Sequence, residues 1–155
     1  MFKQALPALD LPEHRKVGYP EPFASRMGDR VKRKLSEAFG LTQYGVNLVH
    51  LAPGGQSALR HFHTHEEEMV YLLEGELVLI SNAGEQVMRA GMCVGFPANT
   101  GDAHHLVNRG DSIAVYLEMG SRAEADNAYY PDDDLAWLPD GKGSATPGHK
   151  DGASY

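Results

Sequence analysis

Between Tyr44 and Met119 the apolar residues come in short runs closed by glycine, proline or asparagine, and no helical period competes with them. Residues 44–51 end at Ala52-Pro53-Gly54-Gly55, and residues 57–63 alternate in character. Residues 68–74 are closed by Gly75 and followed at once by 76–81 and the turn Asn82-Ala83-Gly84. Residues 86–88, 92–96, 106–108 and 113–119 continue the series, punctuated by Gly91, Pro97, Gly101 and Gly110-Asp111. About eight short strands, roughly 8–12 residues apart, predict an all-β sandwich or barrel, since each strand has one face to bury against a second sheet. With 17 glycines and 9 prolines in 155 residues, the chain carries the turns such a fold needs and too many breaks for a helix bundle.

The flanks read differently. Residues 1–39 begin as an extended arm with Pro7, Pro12, Pro20 and Pro22 and continue into the basic stretch Arg30-Val31-Lys32-Arg33-Lys34. A short helix starting at Ser25 or Asp29 would stop at Gly40. The basic stretch reads as a solvated turn, because the net charge is −7 and one helix is no helix-turn-helix scaffold. Residues 40–120 form the expected barrel, and residues 121–155 an irregular tail laid against it by Tyr129, Tyr130, Leu135 and Trp137, with a frayed end. Asp132-Asp133-Asp134 reads as a solvated acidic turn. The negative charge argues against nucleic acid or an anionic membrane as partner. No apolar run approaches the roughly 18 residues of a membrane span, and Met1-Phe2-Lys3-Gln4 lacks the apolar run of a secretory signal. The single cysteine, Cys93, excludes an internal disulfide and is expected as a small core residue. A cytoplasmic location follows as the expectation.

Five of the eight histidines fall in two windows, His61, His63 and His65, then His104 and His105. Side chains two apart on a strand share a face, so His61 and His63 converge if that face is the barrel interior. Glu68 can return a carboxylate to the same point, and His104 a third imidazole from a distant strand. Three neutral nitrogens and one carboxylate suit a divalent first-row ion and leave positions open for water or substrate. A His63/His65 pair, Glu67 in place of Glu68, and His105 in place of His104 are the competing registers.

These residues resemble the two motifs of the cupin superfamily. Gly55, His61, His63, Glu68 and Gly75 match every position of Gly-x5-His-x-His-x4-Glu-x6-Gly. In the second motif Gly91 and Pro97 match, as do Gly101, His104 and Asn108, but Ala98, Asn99 and Thr100 stand where the family has one residue, a two-residue insertion in a turn. Further likeness, in residues 40–47, in 68–76 and in the ending His149-Lys150-Asp151-Gly152, is to a group of small single-domain bacterial cupins of unassigned substrate. The resemblance implies a jelly-roll barrel holding one divalent metal ion (Fe, Mn, Zn or Ni) on His61, His63, Glu68 and His104, in a homodimer. The motif spacing selects Glu68 over Glu67, Asn108 selects His104 over His105, and His65 is left near the rim.

Tyr44, Asn47, Tyr71, Tyr116 and His65 are candidates for lining the pocket, and Met69, Met88 and Met92 for barrel packing. No Gly-x-Ser-x-Gly elbow, phosphate loop or dinucleotide fingerprint occurs. The expected function is a metal-dependent enzyme acting on a small polar molecule with adjacent oxygens, dioxygenase-like with iron or isomerase-like with zinc, manganese or nickel. The alternative is a metal-held pocket that binds or senses a small ligand without turnover. No general base is identifiable; His65 or a tyrosine is the candidate.

Overall fold

The computed structural model describes residues 4–139 and 145–155. Twelve strands are present among them: β1 (Arg30–Lys34), β2 (Tyr44–Leu51), β3 (Phe62–His63), β4 (Glu68–Glu74), β5 (Glu76–Ser81), β6 (Gly84–Arg89), β7 (Cys93–Phe96), β8 (His105–Val107), β9 (Ala114–Ser121), β10 (Ala128–Tyr129), β11 (Ala136–Pro139) and β12 (Ala145–Gly148). The one α-helix among the described residues, α1 (Leu35–Phe39), lies between β1 and β2. A five-stranded sheet ordered β1-β2-β9-β4-β7 faces a three-stranded sheet ordered β6-β5-β8, and β10-β3 and β11-β12 form two-stranded pieces. Every pairing is antiparallel, the arrangement expected of a jelly roll.

Alternation decides which side chains meet between the sheets. Val49 and Leu51 of β2, Val70 and Leu72 of β4 and Tyr116 of β9 turn inward against Leu77 and Leu79 of β5, Met88 of β6 and Leu106 of β8. A second cluster, Phe23, Met27, Leu59, Tyr130 and Leu135, joins the N-terminal arm to the C-terminal segment. Gly75 joins β4 to β5 at φ +82°; a Cβ there would lie 3.1 Å from Ala114 Cα, so this motif position needs glycine for both conformation and space.

The flanks depart from the sequence-based expectation. Arg30–Lys34 is a strand, antiparallel to β2 with Lys32 opposite Val49. Good helix formers here extend because β2 would otherwise expose an unpaired edge, and tertiary pairing outweighs propensity. The helix is confined to Leu35–Phe39 and does stop at Gly40, which adopts φ 71° while its N–H reaches the carbonyls of Glu37 and Ser36. The tail is less irregular than expected: β10 pairs with β3, and β11 with β12. Tyr130 and Leu135 are buried as anticipated, whereas Tyr129 lies outside, stacked on Phe62 at 5.3 Å. The chain end is pinned: Tyr155 stacks on His149 at 4.0 Å and donates its hydroxyl to the Asp134 carbonyl. Cys93 is exposed, since it shares the outward parity of Tyr71, its partner across β4 and β7.

Candidate metal centre

The centre is built where the segment before β3 crosses the segment before β8. His61 and His104 face each other in an antiparallel bridge, with His61 N–H donating to the His104 carbonyl at 3.1 Å and the reverse bond at 2.8 Å. Their rings stand 5.1 Å apart, and the ring of His63, two residues on, is 5.0 Å from that of His61. Glu68 opens β4 opposite Phe96 and Gly120, which sends its carboxylate inward. Glu68 Oε2 lies 3.0 Å from His104 Nε2, 3.6 Å from His61 Nε2 and 3.7 Å from His63 Nε2. Four residues named from spacing thus come together.

The outward nitrogens explain why Nε2 faces the centre. His61 Nδ1 donates to the Leu59 carbonyl at 2.8 Å, because a carbonyl only accepts. His63 Nδ1 is 2.5 Å from Asp126 Oδ2, and His104 Nδ1 is 3.5 Å from the Asp102 carbonyl. An imidazole protonated at Nδ1 keeps a lone pair on Nε2, so His61 and His63 offer ligand nitrogens toward the Glu68 carboxylate. His104 Nε2, 3.0 Å from Glu68 Oε2, donates its proton to that carboxylate and would become a ligand nitrogen by moving the proton to Nδ1, which faces the Asp102 carbonyl. Phe96 stacks on His104 at 3.4 Å and fixes its plane. Ligand-type atoms of His61, Glu68 and His104 lie within 4.8 Å of one another, and His63 Nε2 stands 3.7 Å from Glu68 Oε2; imidazole nitrogens and a carboxylate oxygen so placed fit a divalent first-row ion.

Electrostatics agree with that role. Burial holds the His61 imidazole below its ordinary pKa, although Glu68 opposes the shift, so the ring stays neutral as a ligand must. Burial would push the Glu68 carboxyl up, but the hydrogen bond from His104 and the neighbouring imidazoles hold it below the usual value. His63, Glu66 and Asp126 also bring ligand-type atoms within 4.8 Å of one another. These groups are engaged in holding the loop: Glu66 Oε1 accepts the Ala123 N–H at 3.0 Å, Asp126 Oδ1 accepts the N–H groups of His65 and Glu66, and Asp126 Oδ2 faces His63 Nδ1.

Beside His61, His63, Glu68 and His104 a cavity of about 290 Å³ opens, walled by Tyr19, Phe96, Tyr116, Tyr130 and Trp137. Its polar floor follows from register. Arg30 and Lys32 share the inward face of β1, and Tyr116 and Glu118 that of β9. Lys32 Nζ is 2.6 Å from Glu118 Oε1, which also accepts from Asn47 Nδ2 at 3.1 Å. Arg30 donates one N–H to the Ser57 carbonyl, its only hydrogen bond among the described residues. The Tyr116 hydroxyl is fully buried without a hydrogen-bond partner among the described residues, and burial keeps it protonated well above the usual phenol range.

The other residues anticipated for the pocket are spread more widely. Tyr116 lines it, and Asn47 reaches it through Glu118. Tyr71 points outward because Val70 and Leu72 hold the inward positions of β4; Tyr44 likewise lies on the outward parity of β2 and is exposed. His65 is exposed at the rim, with Nδ1 2.8 Å from Thr64 Oγ1. Glu67 is exposed, and His105 turns away to the Ala58 carbonyl. The inserted turn is absorbed by Asn99, at φ 57°, whose N–H donates to the His63 carbonyl at 2.8 Å. Asn108 is no ligand: fully buried, its side chain bonds the carbonyls of Leu51 and Ser112 and the Gly110 N–H. Arg30, Lys32, Glu118, Tyr19, Tyr130 and Asp126 were missed. The alternation Arg30-x-Lys32 was the available signal for the first two; the others depend on long-range pairing.

Comparisons with known proteins give the same architecture. Residues 47–120 match the Cupin domain family. No match is found among curated protein sequences. The chain is similar to a sugar phosphate isomerase from a cupin superfamily of Silicibacter pomeroyi, with 37% identity over 98% of this chain and 96% of that one and a TM-score of 0.91. It is also similar to a proposed sugar phosphate isomerase of Acidithiobacillus ferrooxidans, with 28% identity over 97% and 95% of the two chains and a TM-score of 0.81. A predicted oxalate decarboxylase of Thermotoga maritima shares the fold at 21% identity over 77% of this chain and all of that one, with a TM-score of 0.63.

Proposed function

The chain belongs to the cupin superfamily, and on that premise we propose that it is a metal-dependent isomerase of a small phosphorylated sugar. The observation that carries this is one cavity with two chemically distinct sides. The His61, His63, Glu68 and His104 cluster stands at one side, and Arg30 and Lys32 at the other. Charge supports the substrate class. The pocket's two cations balance its two carboxylates, so a bound divalent ion leaves two positive charges, which a phosphomonoester dianion neutralises. Similarity to the isomerase of Silicibacter pomeroyi favours this chemistry over oxygenation.

His61, His63, Glu68 and His104 would hold a divalent ion, zinc, manganese or nickel for this reaction, and that ion would supply Lewis-acid polarisation to a bound substrate. Arg30 offers a planar fork to the phosphoryl oxygens, with Lys32 as a second charge. Tyr116, kept protonated by burial, donates to a substrate oxygen. Interconversion of an aldose and a ketose moves one proton from a hydroxyl-bearing carbon to the adjacent carbonyl carbon and another between their oxygens, with no oxidant consumed. Glu118, the pocket carboxylate outside the ligand set, takes and returns the carbon-bound proton.

The chain acts as a homodimer, a reading supported by Met69, Tyr71 and Leu73, which are exposed in a row on the outward face of β4. The exposed thiol of Cys93 fits a reducing compartment such as the cytoplasm, and no helix among the described residues is long and apolar enough to cross a membrane.

The test is proton NMR in deuterium oxide of metal-loaded protein with a panel of pentose and hexose phosphates. Interconversion with deuterium incorporation, abolished by chelation, is expected. Thermal stabilisation by panel members without product would favour a non-catalytic binding module. Substrate-dependent oxygen uptake with iron would favour a dioxygenase.

A further inference from the structure

The ligand loop is held by residues that lie beyond the matched cupin domain. β10 pairs with β3 so that Ala128 stands opposite His63. Just before it, Thr64 N–H donates to the Asn127 carbonyl at 3.1 Å and Asn127 N–H to Thr64 Oγ1 at 2.9 Å. Ser121 and Glu67 are similarly laced, at 3.0 and 2.8 Å. Residues 121–127 therefore clamp residues 64–67, the connection between His63 and Glu68.

At the centre of this clamp is Asp126. Its Oδ2 lies 2.5 Å from His63 Nδ1. Its Oδ1 accepts the N–H groups of His65 and Glu66 at 2.8 and 3.0 Å and faces the Thr64 hydroxyl at 3.3 Å. One carboxylate oxygen is thus committed to three donors, leaving the other as an obligatory acceptor for His63. A carboxylate so placed holds an imidazole in the Nδ1–H tautomer, fixes its plane and makes Nε2 a better electron donor.

We propose that Asp126 is a positioning residue of the metal centre, holding His63 in the tautomer that presents Nε2 to the ion. This rests on the metal-centre reading above. Asp126→Asn has a particular consequence. The three loop donors claim the amide oxygen, so the NH2 group turns toward His63 Nδ1, which must then accept. The ring adopts the Nε2–H tautomer, and the nitrogen meant for the metal carries a proton.

The experiment combines two readouts. Zinc affinity is measured by competition with a chromophoric chelator for wild type, Asp126→Asn, Asp126→Ala and His63→Ala. The His63 tautomer is read in metal-free wild type, Asp126→Asn and Asp126→Ala by long-range 1H–15N correlation NMR. The expected result is a roughly 10- to 100-fold loss of affinity in Asp126→Asn, as for removal of other outer partners of ligand imidazoles, together with an Nδ1–H to Nε2–H shift. Asp126→Ala, which removes the clamp without forcing the tautomer, loses affinity while His63 keeps some Nδ1–H form. Wild-type affinity and tautomer in Asp126→Asn, with His63→Ala losing metal, would overturn the proposal and leave the centre standing. Wild-type affinity in His63→Ala as well would overturn the centre itself, and this role with it.

Discussion

Replacing Arg30 by Met removes the fork assigned to the phosphoryl group while keeping an unbranched apolar stem of similar reach. The guanidinium gives one N–H to the Ser57 carbonyl and has no carboxylate partner among the described residues, so its loss strips charge from the pocket without freeing a buried anion. A hydrogen bond to a charged group contributes about 1.5–3 kcal/mol, which at about 1.4 kcal/mol per decade weakens binding of a phosphorylated ligand roughly 10- to 150-fold. The Ser57 carbonyl loses a donor, at about 1–3 kcal/mol, or roughly 2–12 °C in melting temperature at this chain length. The assay is isothermal titration of metal-loaded protein with ribose 5-phosphate and, in parallel, with ribose. Arg30→Met weakens only the phosphorylated probe, and Arg30→Lys falls between, since it keeps the charge and loses the fork. Equal weakening of both probes, or of neither, would refute the assignment of Arg30 to phosphate.

Three further outcomes follow from the same structure. Burial holds the folded-state pKa values of His50, His61 and His105 below the ordinary imidazole value, so the unfolded chain takes up protons first. Chemical denaturation of metal-free protein should then show stability falling as pH drops below about 6.5 and levelling off under the folded values. Asp126, whose carboxyl would rise on burial but is held down to about 2 by the His65 N–H, His63 and the Glu66 N–H, adds stability present above its unfolded value of about 3.9 and lost as pH falls toward 2. Asn108→Ala removes three hydrogen bonds from a fully buried side chain and leaves two carbonyls and one N–H short of a partner, a loss of about 2–4 kcal/mol by urea unfolding with metal affinity unchanged. Tyr71→Glu, on the outward face of β4, should convert the proposed homodimer to monomer by light scattering at micromolar concentration without loss of metal; a variant that stays dimeric would direct the search to another face.

The barrel strands and the pairing of His61 with His63 were legible in the sequence because both rest on local rules, whereas Glu68 and His104 were singled out by the resemblance to the cupin motifs. Period-two alternation places His61 beside His63 whatever the rest of the chain does, and the runs 44–51, 68–74 and 76–81 coincide with β2, β4 and β5. The pocket was less legible because its side chains come from pairings distant in sequence. Arg30 and Lys32 carry helix-forming residue types and become a strand only because β2 offers an edge. Asp126 sits in a stretch without periodicity and acquires its role from β10 lying beside β3. Parity was readable for Tyr71 and Tyr116, but not which parity faces inward: Tyr116 lies across from Val49 and Leu72, both fully buried, whereas Tyr71 lies across from Cys93 on the exposed side.

The metal centre is tested most directly by elemental analysis of protein purified without a metal-affinity tag, for wild type, His61→Ala and His104→Ala. The core between the two sheets contains no ligand side chain, so both variants should keep their β-sheet circular dichroism. Wild type should carry about one divalent ion per chain and each variant less than about a tenth of that, since an open site loses its hold with a missing imidazole. Full occupancy in both folded variants would contradict the assignment of His61, His63, Glu68 and His104 as the metal ligands.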